Sequence, residues 1–398
     1  MGGPFEVLRV PDFRALAVGQ AISRFGNGLA SVALAFAVLD LTGSVGLLGL
    51  VVAARSIANV ALVLLGGALA DRLPRGVLLT GSSVVSGLAQ LAFAALVGLR
   101  LDLVWALVAL AAVNGAASSV SQPLATALVP QTLPAERLQD GNALARMSGN
   151  VTSLAGTAIA GLVVALAGSG AAVAVDGVTF LLAAVVWSRL RVAAPERTAR
   201  SSFAADLAEG WHAFRSRRWL WSIVGAFTIA NALYSGAVTV LGPPYADATI
   251  GRTAWGVVLA AFPAGLVLGG VLALRLRPRR PLAVAMLCAI PFPVTALVLA
   301  VAPVPAVLIA FLLGAGVTTE LFEVLWQTAL QQRVPGELLA RVSSYDLLGS
   351  FVAIPIGQLA AAPAAAAIGV RPAMVAAGAV GALVLAACLL VRDVRAPA

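Results

Sequence analysis

The sequence predicts an all-α integral membrane protein, with twelve transmembrane helices forming two parallel six-helix repeats around a central cavity. Three observations predict it. Hydrophobic residues make up 61% of the 398 and charged residues 11%, at a mean hydropathy of +0.99; soluble domains carry roughly 25% charged residues, so this chain lacks the polar surface to cover a soluble globule. Apolar runs of about 20 residues, enough to cross the hydrocarbon, recur along the whole chain. The 26 basic residues are all arginine, and they gather on one side of those runs.

The spans are read at 14–39, 44–70, 77–98, 103–128, 142–167, 170–190, 219–243, 254–275, 281–301, 304–329, 343–366 and 370–391. With the N-terminus cytoplasmic, 21 arginines fall inside, three outside (Arg100, Arg252, Arg371) and two within spans (Arg24, Arg55). That asymmetry sets the orientation and leaves both termini in the cytoplasm, as expected for a multi-pass protein of the inner (plasma) membrane. Unbroken apolar runs exclude the alternating strands of a membrane barrel. The first run follows Glu6, Arg9, Asp12 and Arg14 and outlasts the roughly 7–15 apolar residues of a signal peptide, so it is read as a span.

Composition also excludes several functions. The arginines lie at segment ends and form no aromatic-laced patch, which argues against nucleic acid as a partner. The glycine-rich stretches lack a lysine, which argues against an ATP-driven pump. No nucleophile triad or metal-ligand spacing occurs, so the chain is read as a non-enzyme with no cofactor, no metal and no catalytic residue. Cys288 and Cys388 lie in apolar runs and read as buried thiols.

The stretch 191–218 divides six spans from six, giving an N-terminal half at 1–190, a cytoplasmic linker at 191–218 and a C-terminal half at 219–398. Within the linker, Phe203, Leu207, Trp211 and Phe214 share one helical face, which reads as a helix lying in the headgroup region. His212, the only histidine, sits here, so no histidine relay crosses the membrane. The halves resemble each other. Gly66-Gly-Ala-Leu-Ala-Asp-Arg-Leu-Pro-Arg75 returns as Gly269-Gly-Val-Leu-Ala-Leu-Arg-Leu-Arg-Pro-Arg279, at an offset of 269 − 66 = 203. Thr126-Ala-Leu128 returns as Thr328-Ala-Leu330, and Leu133-Pro-Ala-Glu136 as Val334-Pro-Gly-Glu337. Parallel repeats of this kind place a substrate cavity between the halves.

The segment Gly67-Ala-Leu-Ala-Asp71-Arg72-Leu-Pro-Arg75-Gly76 resembles the signature loop between helices 2 and 3 of the major facilitator superfamily. Pro74 stands where that signature has glycine, and Gly76 where it has a basic residue. Ser23-Arg-Phe-Gly26, Asp176-Gly-Val-Thr-Phe180, Glu209-Gly-Trp211, Arg341-Val-Ser-Ser and Ile354-Pro-Ile-Gly357 resemble its enterobactin and macrolide exporter branch, from about Phe13 to about Gly357. The resemblance implies alternating access and proton-driven efflux of small, often amphipathic molecules, drugs or secreted metabolites, by a monomer in the lipid bilayer. It also implies a gate at Gly67, Asp71, Arg72 and Arg75, with Asp71 facing the start of span 11 near Ser343 and Ser344. Arg72 and Arg75 would then pair with acids such as Glu136 or Asp140. Helix 5 here reads Gly156-Thr-Ala-Ile-Ala-Gly161 without the proline of antiporters, and Asn114-Gly115 occupies the place of the helix 4 arginine of many exporters.

Cost marks the remaining candidates. A carboxylate deep in a span costs several kcal/mol, so Glu320 and Glu323 in span 10 line a cavity or find a partner. Burial raises a carboxylate's pKa, so either could carry a coupling proton; each could also meet a cationic substrate or pair with Arg24 or Arg55. Asp176 is a third titratable candidate, shallow enough for water to reach, whereas Asp40 reads as solvated. Arg24 needs a counter-charge or an anionic substrate. In family geometry helices 1, 4, 7 and 10 line the cavity, so Asn27, Asn114, Gln122, Asn231, Tyr234 and Gln327 are placed near substrate, with interhelical hydrogen bonding the competing role for each. Phe36, Phe227 and Trp326 would add apolar contact. A nutrient importer and a non-transporting sensor or lipid-flipping protein are the alternative readings.

Overall fold

The computed structural model describes residues 4–70, 74–134, 137–190, 211–273, 275–276 and 278–395. Twelve of its helices are long and apolar enough to cross a membrane. Spans 1 to 6 are Pro11–Thr42, Val45–Ala70, Arg75–Gly98, Val104–Thr132, Leu138–Ala167 and Ser169–Trp187. Span 7 is Arg218–Tyr234, continued by a π-helical turn over Ser235–Val240, and span 8 is Arg252–Ala273. Span 9 consists of Pro281–Ala289 and Pro291–Val301, span 10 is Pro305–Arg333, and span 11 consists of Gly336–Phe351 and Ile354–Ile368. Span 12 is Val370–Ala387. No strand occurs among the described residues.

Local chemistry sets the ends. Gly43 closes span 1 at φ 64, a left-handed conformation that puts its N–H on the Leu39 carbonyl. Gly168, at φ 87, joins spans 5 and 6, and Gly369, at φ 89, joins spans 11 and 12. These two hinges lie 369 − 168 = 201 residues apart, close to the offset of the sequence repeat, so the backbone repeats where the side chains have diverged. Pro291 restarts span 9 because it brings no N–H to the preceding turn.

The chain forms two compact units, Met1–Arg197 with Gly251–Ala260, and Thr198–Ile250 with Ala261–Ala398. In the first, span 1 packs on spans 5 and 6, span 2 on span 4, and span 3 on spans 4 and 6. Its largest buried side chains include Phe13, Phe36 and Phe93. In the second, span 7 packs on spans 11 and 12, and the halves of span 9 pack on spans 10 and 12. Its core gathers Trp219, Ile223, Met286, Phe322, Trp326 and Leu330.

The linker reading is modified where it can be followed. Phe203 and Leu207 lie outside the described residues. Trp211 and Phe214 stack at 5.8 Å and both meet the Tyr345 ring of span 11, at 5.5 and 5.9 Å. Phe214 is thereby buried against span 11, while Trp211 stays 46% exposed on the outer side of the stack.

A short 3-10 helix, Pro4–Arg9, precedes span 1. Glu6 accepts a hydrogen bond from Arg137 Nη2 at 2.8 Å and lies 3.9 Å from Arg9. The hydrogen bond from Arg137, and then its charge, hold the Glu6 carboxyl below the usual carboxylate range. A depressed folded-state value means stability that is present at neutral pH and lost as pH falls through that lowered value. Glu6→Gln should lower the thermal midpoint in detergent at neutral pH, with a deficit that shrinks once the pH is taken below the usual carboxylate range. An equal deficit at both pH values would contradict the pair.

Candidate functional site

Spans 1, 3 and 6 of the first unit close around Asp176, which is 0% exposed. Its Oδ2 accepts a hydrogen bond from Gln90 Nε2 at 2.6 Å, and its Oδ1 has no hydrogen-bond partner among the described residues. Gly26 makes room for that oxygen, since a Cβ there would stand 2.5 Å from Asp176 Oδ1. The Arg55 guanidinium of span 2 supplies the nearby positive charge. Water access to Asp176, expected from its shallow position, is thus replaced by full burial beside an amide and a cation. Asn114 in span 4 is also 0% exposed, and among the described residues neither atom of its carboxamide has a partner. Such a group is rare in native interiors.

Asp40 is exposed, as expected of a solvated acid, and is ion-paired as well. It accepts from Arg252 Nη1 at 2.7 Å and from Ser169 Oγ at 2.7 Å. The same guanidinium lies 4.6 Å over the Phe36 ring. Gly161 and Gly256 let the backbones meet beside this pair, since a Cβ at Gly256 would stand 2.7 Å from the Gly161 nitrogen. Arg252 and Phe36, read as a topology charge and an apolar contact, belong to one ion-paired cluster.

In the second unit, span 10 carries the acids on two different neighbours. Glu320 lies along Gly269 and Gly270 of span 8, its Cβ 2.9 Å from where a Gly269 Cβ would be. Glu323 Oε1 accepts from Gln327 Nε2 at 3.0 Å. One turn on, Trp326 Nε1 donates to Asp346 Oδ2 of span 11 at 3.0 Å, and the Glu323 charge acts on Asp346. Sequence reasoning missed Asp346. Its signal is an acid at the start of the span 11 apolar run, where the polar end of a helix looks the same. Beside these acids runs an aromatic column: Trp219 edge-on to Trp326 at 5.6 Å, Trp326 stacked on Phe322 at 6.2 Å, and Phe322 stacked on Phe227 at 4.5 Å.

The remaining candidates divide. Asn231 donates to the Ser350 carbonyl at 3.0 Å, and the Tyr234 ring stacks on Phe292 at 4.0 Å, so both are engaged inside the second unit. Asn27 donates to the Ser23 carbonyl of its own helix at 2.9 Å. Arg24 lies on span 5 beside Arg146. Asp71 and Arg72 of the gate motif, Glu136 and the Gln122 side chain lie outside the described residues; so do the surroundings of Gly67. Arg75 opens span 3, and its buried Nε has no partner among the described residues. Among the described residues no group of His, Cys, Asp and Glu is arranged to hold a metal ion.

A chain with twelve apolar helices matches a known family over most of its length: residues 16–357 match the Major Facilitator Superfamily. The chain belongs to that superfamily. It is a transporter and not an enzyme. Solved superfamily structures share the fold. A point mutant of the nucleoside transporter NupG is 14% identical with a TM-score of 0.76, covering 95% of this chain and 99% of that one. A bacterial homologue of the human lysosomal transporter Spinster, inward-facing and unoccupied, is 15% identical with a TM-score of 0.73, covering 96% of each chain. A POT family transporter in complex with 5-aminolevulinic acid is 12% identical with a TM-score of 0.73, covering 95% of each. At these identities the likeness shows the fold alone. No curated protein sequence matches the chain.

Proposed function

We propose that this superfamily member is a secondary active exporter of small amphipathic molecules, drugs or secreted metabolites, working as a monomer of the plasma membrane by alternating access and proton antiport. One observation carries the reading: Glu323 and Asp346 stand beside the column Trp219, Trp326, Phe322 and Phe227 in the second unit. The column packs the core that holds spans 7 and 10 together beside the acids, and neighbouring carboxylates on adjacent spans provide an exchangeable proton where an isolated charge would be costly. Glu323 and Asp346 are assigned the coupling proton, with Glu320 and Asp176 as the other acids in reach of spans. The gate falls to Gly67, Asp71, Arg72 and Arg75, and the exporter branch of the superfamily supplies the direction of transport.

The test is accumulation of fluorescent dyes and antibiotics in efflux-deficient cells expressing the protein, with and without a protonophore. Expression should lower accumulation of at least one amphipathic compound, and the protonophore should restore it. Raised accumulation on expression would favour import. Lowered accumulation that ignores the protonophore would remove the proton from the mechanism.

A further inference from the structure

Span 11 is broken, and span 7 holds both of its pieces. The first piece ends at Phe351 and the second starts at Ile354. At the end of the first, the Val352 N–H reaches the Leu348 carbonyl; at the start of the second, the Gly357 N–H reaches that of Ala353. Pro355 brings no N–H for the Phe351 carbonyl. The two carbonyls just before are met from span 7: Thr228 Oγ1 donates to that of Gly349 at 2.6 Å, and Asn231 Nδ2 to that of Ser350 at 3.0 Å. A break inside a membrane persists where neighbouring side chains satisfy the carbonyls it frees.

The second piece is fixed to the same helix. A Cβ at Gly357 would overlap the Ala232 carbonyl, so the backbones touch there, and Gln358 Nε2 donates to Ser235 Oγ at 2.8 Å. Thr228, Asn231, Ala232 and Ser235 fall at i, i+3, i+4 and i+7, a single face of span 7. Asp346 lies three and four residues before the two pinned carbonyls, one turn back on the first piece. Its carboxyl takes the Trp326 indole N–H at 3.0 Å, and the charge that acts on it from span 10 is that of Glu323. Span 7 has no acid or base between Arg218 and Tyr234, and ahead of it Trp211 and Phe214 cover the neighbouring Tyr345 with rings. Span 7 therefore gives Asp346 placement and not charge.

We propose that Thr228 and Asn231 are positioning residues for the coupling acid: their hydrogen bonds keep span 11 broken one turn after Asp346 and set where its carboxyl stands against Trp326 and Glu323. This rests on the reading of Asp346 as a bearer of the coupling proton and adds what places it. Without the two donors, the nearest replacements for the Gly349 and Ser350 carbonyls are the N–H groups of Ala353 and Ile354, four residues on. Taking them closes the helix and turns Asp346 relative to span 10.

The experiment uses the proton itself as the probe. Infrared difference spectra of the full-length protein in detergent, each form against its own Asp346→Asn partner, isolate the Asp346 carboxyl stretch, and titration with pH gives its midpoint. Thr228→Val and Asn231→Leu keep the side-chain size and remove the donor; each should move the midpoint in the same direction by about one pH unit, a tenfold change in proton affinity. Thr228→Ser keeps the hydroxyl and should titrate like the parent. Pro355→Ala restores an N–H at the break without touching span 7, so it should move the midpoint in that same direction and carries the test where an apolar variant fails to fold. A parent midpoint in Pro355→Ala, or in both Thr228→Val and Asn231→Leu, overturns the proposal. So does a Thr228→Ser midpoint that moves as far as that of Thr228→Val, and a parent without a titrating Asp346 band. The two readings fail separately: shifted midpoints without protonophore-sensitive efflux remove only the exporter, and such efflux with unmoved midpoints removes only the positioning.

Discussion

Gly265→Leu should strip the protein of its folded, monodisperse form in detergent. In the second unit, spans 8 and 10 meet at Gly265 and Gly316. A Cβ at Gly265 would overlap the Leu313 carbonyl and stand 2.9 Å from Gly316 Cα; one at Gly316 would overlap the Phe262 carbonyl and stand 2.9 Å from Gly265 Cα. Gly269 extends the seam, with Glu320 Cβ at 2.9 Å from its own missing Cβ. In lipid no hydrophobic force drives helices together, so this close packing is a main source of their association. Overpacking by a methylene or more typically costs about 1–3 kcal/mol even where side chains can yield, and here the obstacle is main chain. Against a total stability of about 5–15 kcal/mol, four added carbons at a backbone crossing should cut the folded yield about tenfold or more. Fluorescence-detected size exclusion measures it. Gly314→Leu, on the same helix with nothing within 4 Å of its Cβ position, should elute like the parent. Parent-like yield and melting of Gly265→Leu would refute the seam.

Hydropathy made the twelve spans legible, because an apolar run of fixed length has few other homes in a chain with so little charge. The breaks within them were not legible. Pro263 and Pro363 lie inside continuous helices while Pro291 restarts one, and the choice depends on whether neighbouring groups re-satisfy the freed carbonyls. Cost likewise flagged Glu320 and Glu323, yet three residues of spacing said nothing of which neighbour each meets. Glycine at 269 and 270 accommodates the first, and Gln327 engages the second. Helix membership alone places Asn231 and Tyr234 near substrate; their contacts with Ser350 and Phe292 on facing helices cannot be read from it. The partner of Asp40 is Arg252, 212 residues along the chain, a pairing that no local pattern announces.

Asp346→Asn should abolish the dependence of transport on a pH gradient while leaving the fold in place. The Trp326 indole N–H donates to a carboxylate oxygen at 3.0 Å, and an asparagine carbonyl can accept the same bond. The aromatic column is kept together by ring contacts of its own, so its geometry does not need the charge. What the substitution removes is the titrating oxygen beside Glu323. If this pair carries the coupling proton, uptake into inverted vesicles driven by an imposed pH gradient should fall by roughly 5–150-fold, the range of ordinary coupling energies between sites, while exchange of substrate down its own gradient persists. Glu323→Gln should reproduce the loss. The double variant should add little, because the two residues then act on one event. Asp346→Leu, which leaves the buried indole N–H without an acceptor, should lose thermal stability as well, and that contrast separates the proton from the hydrogen bond. Full gradient dependence in both Asp346→Asn and Glu323→Gln would move the coupling site elsewhere, and the acid then left with an unpartnered oxygen inside the first unit is Asp176.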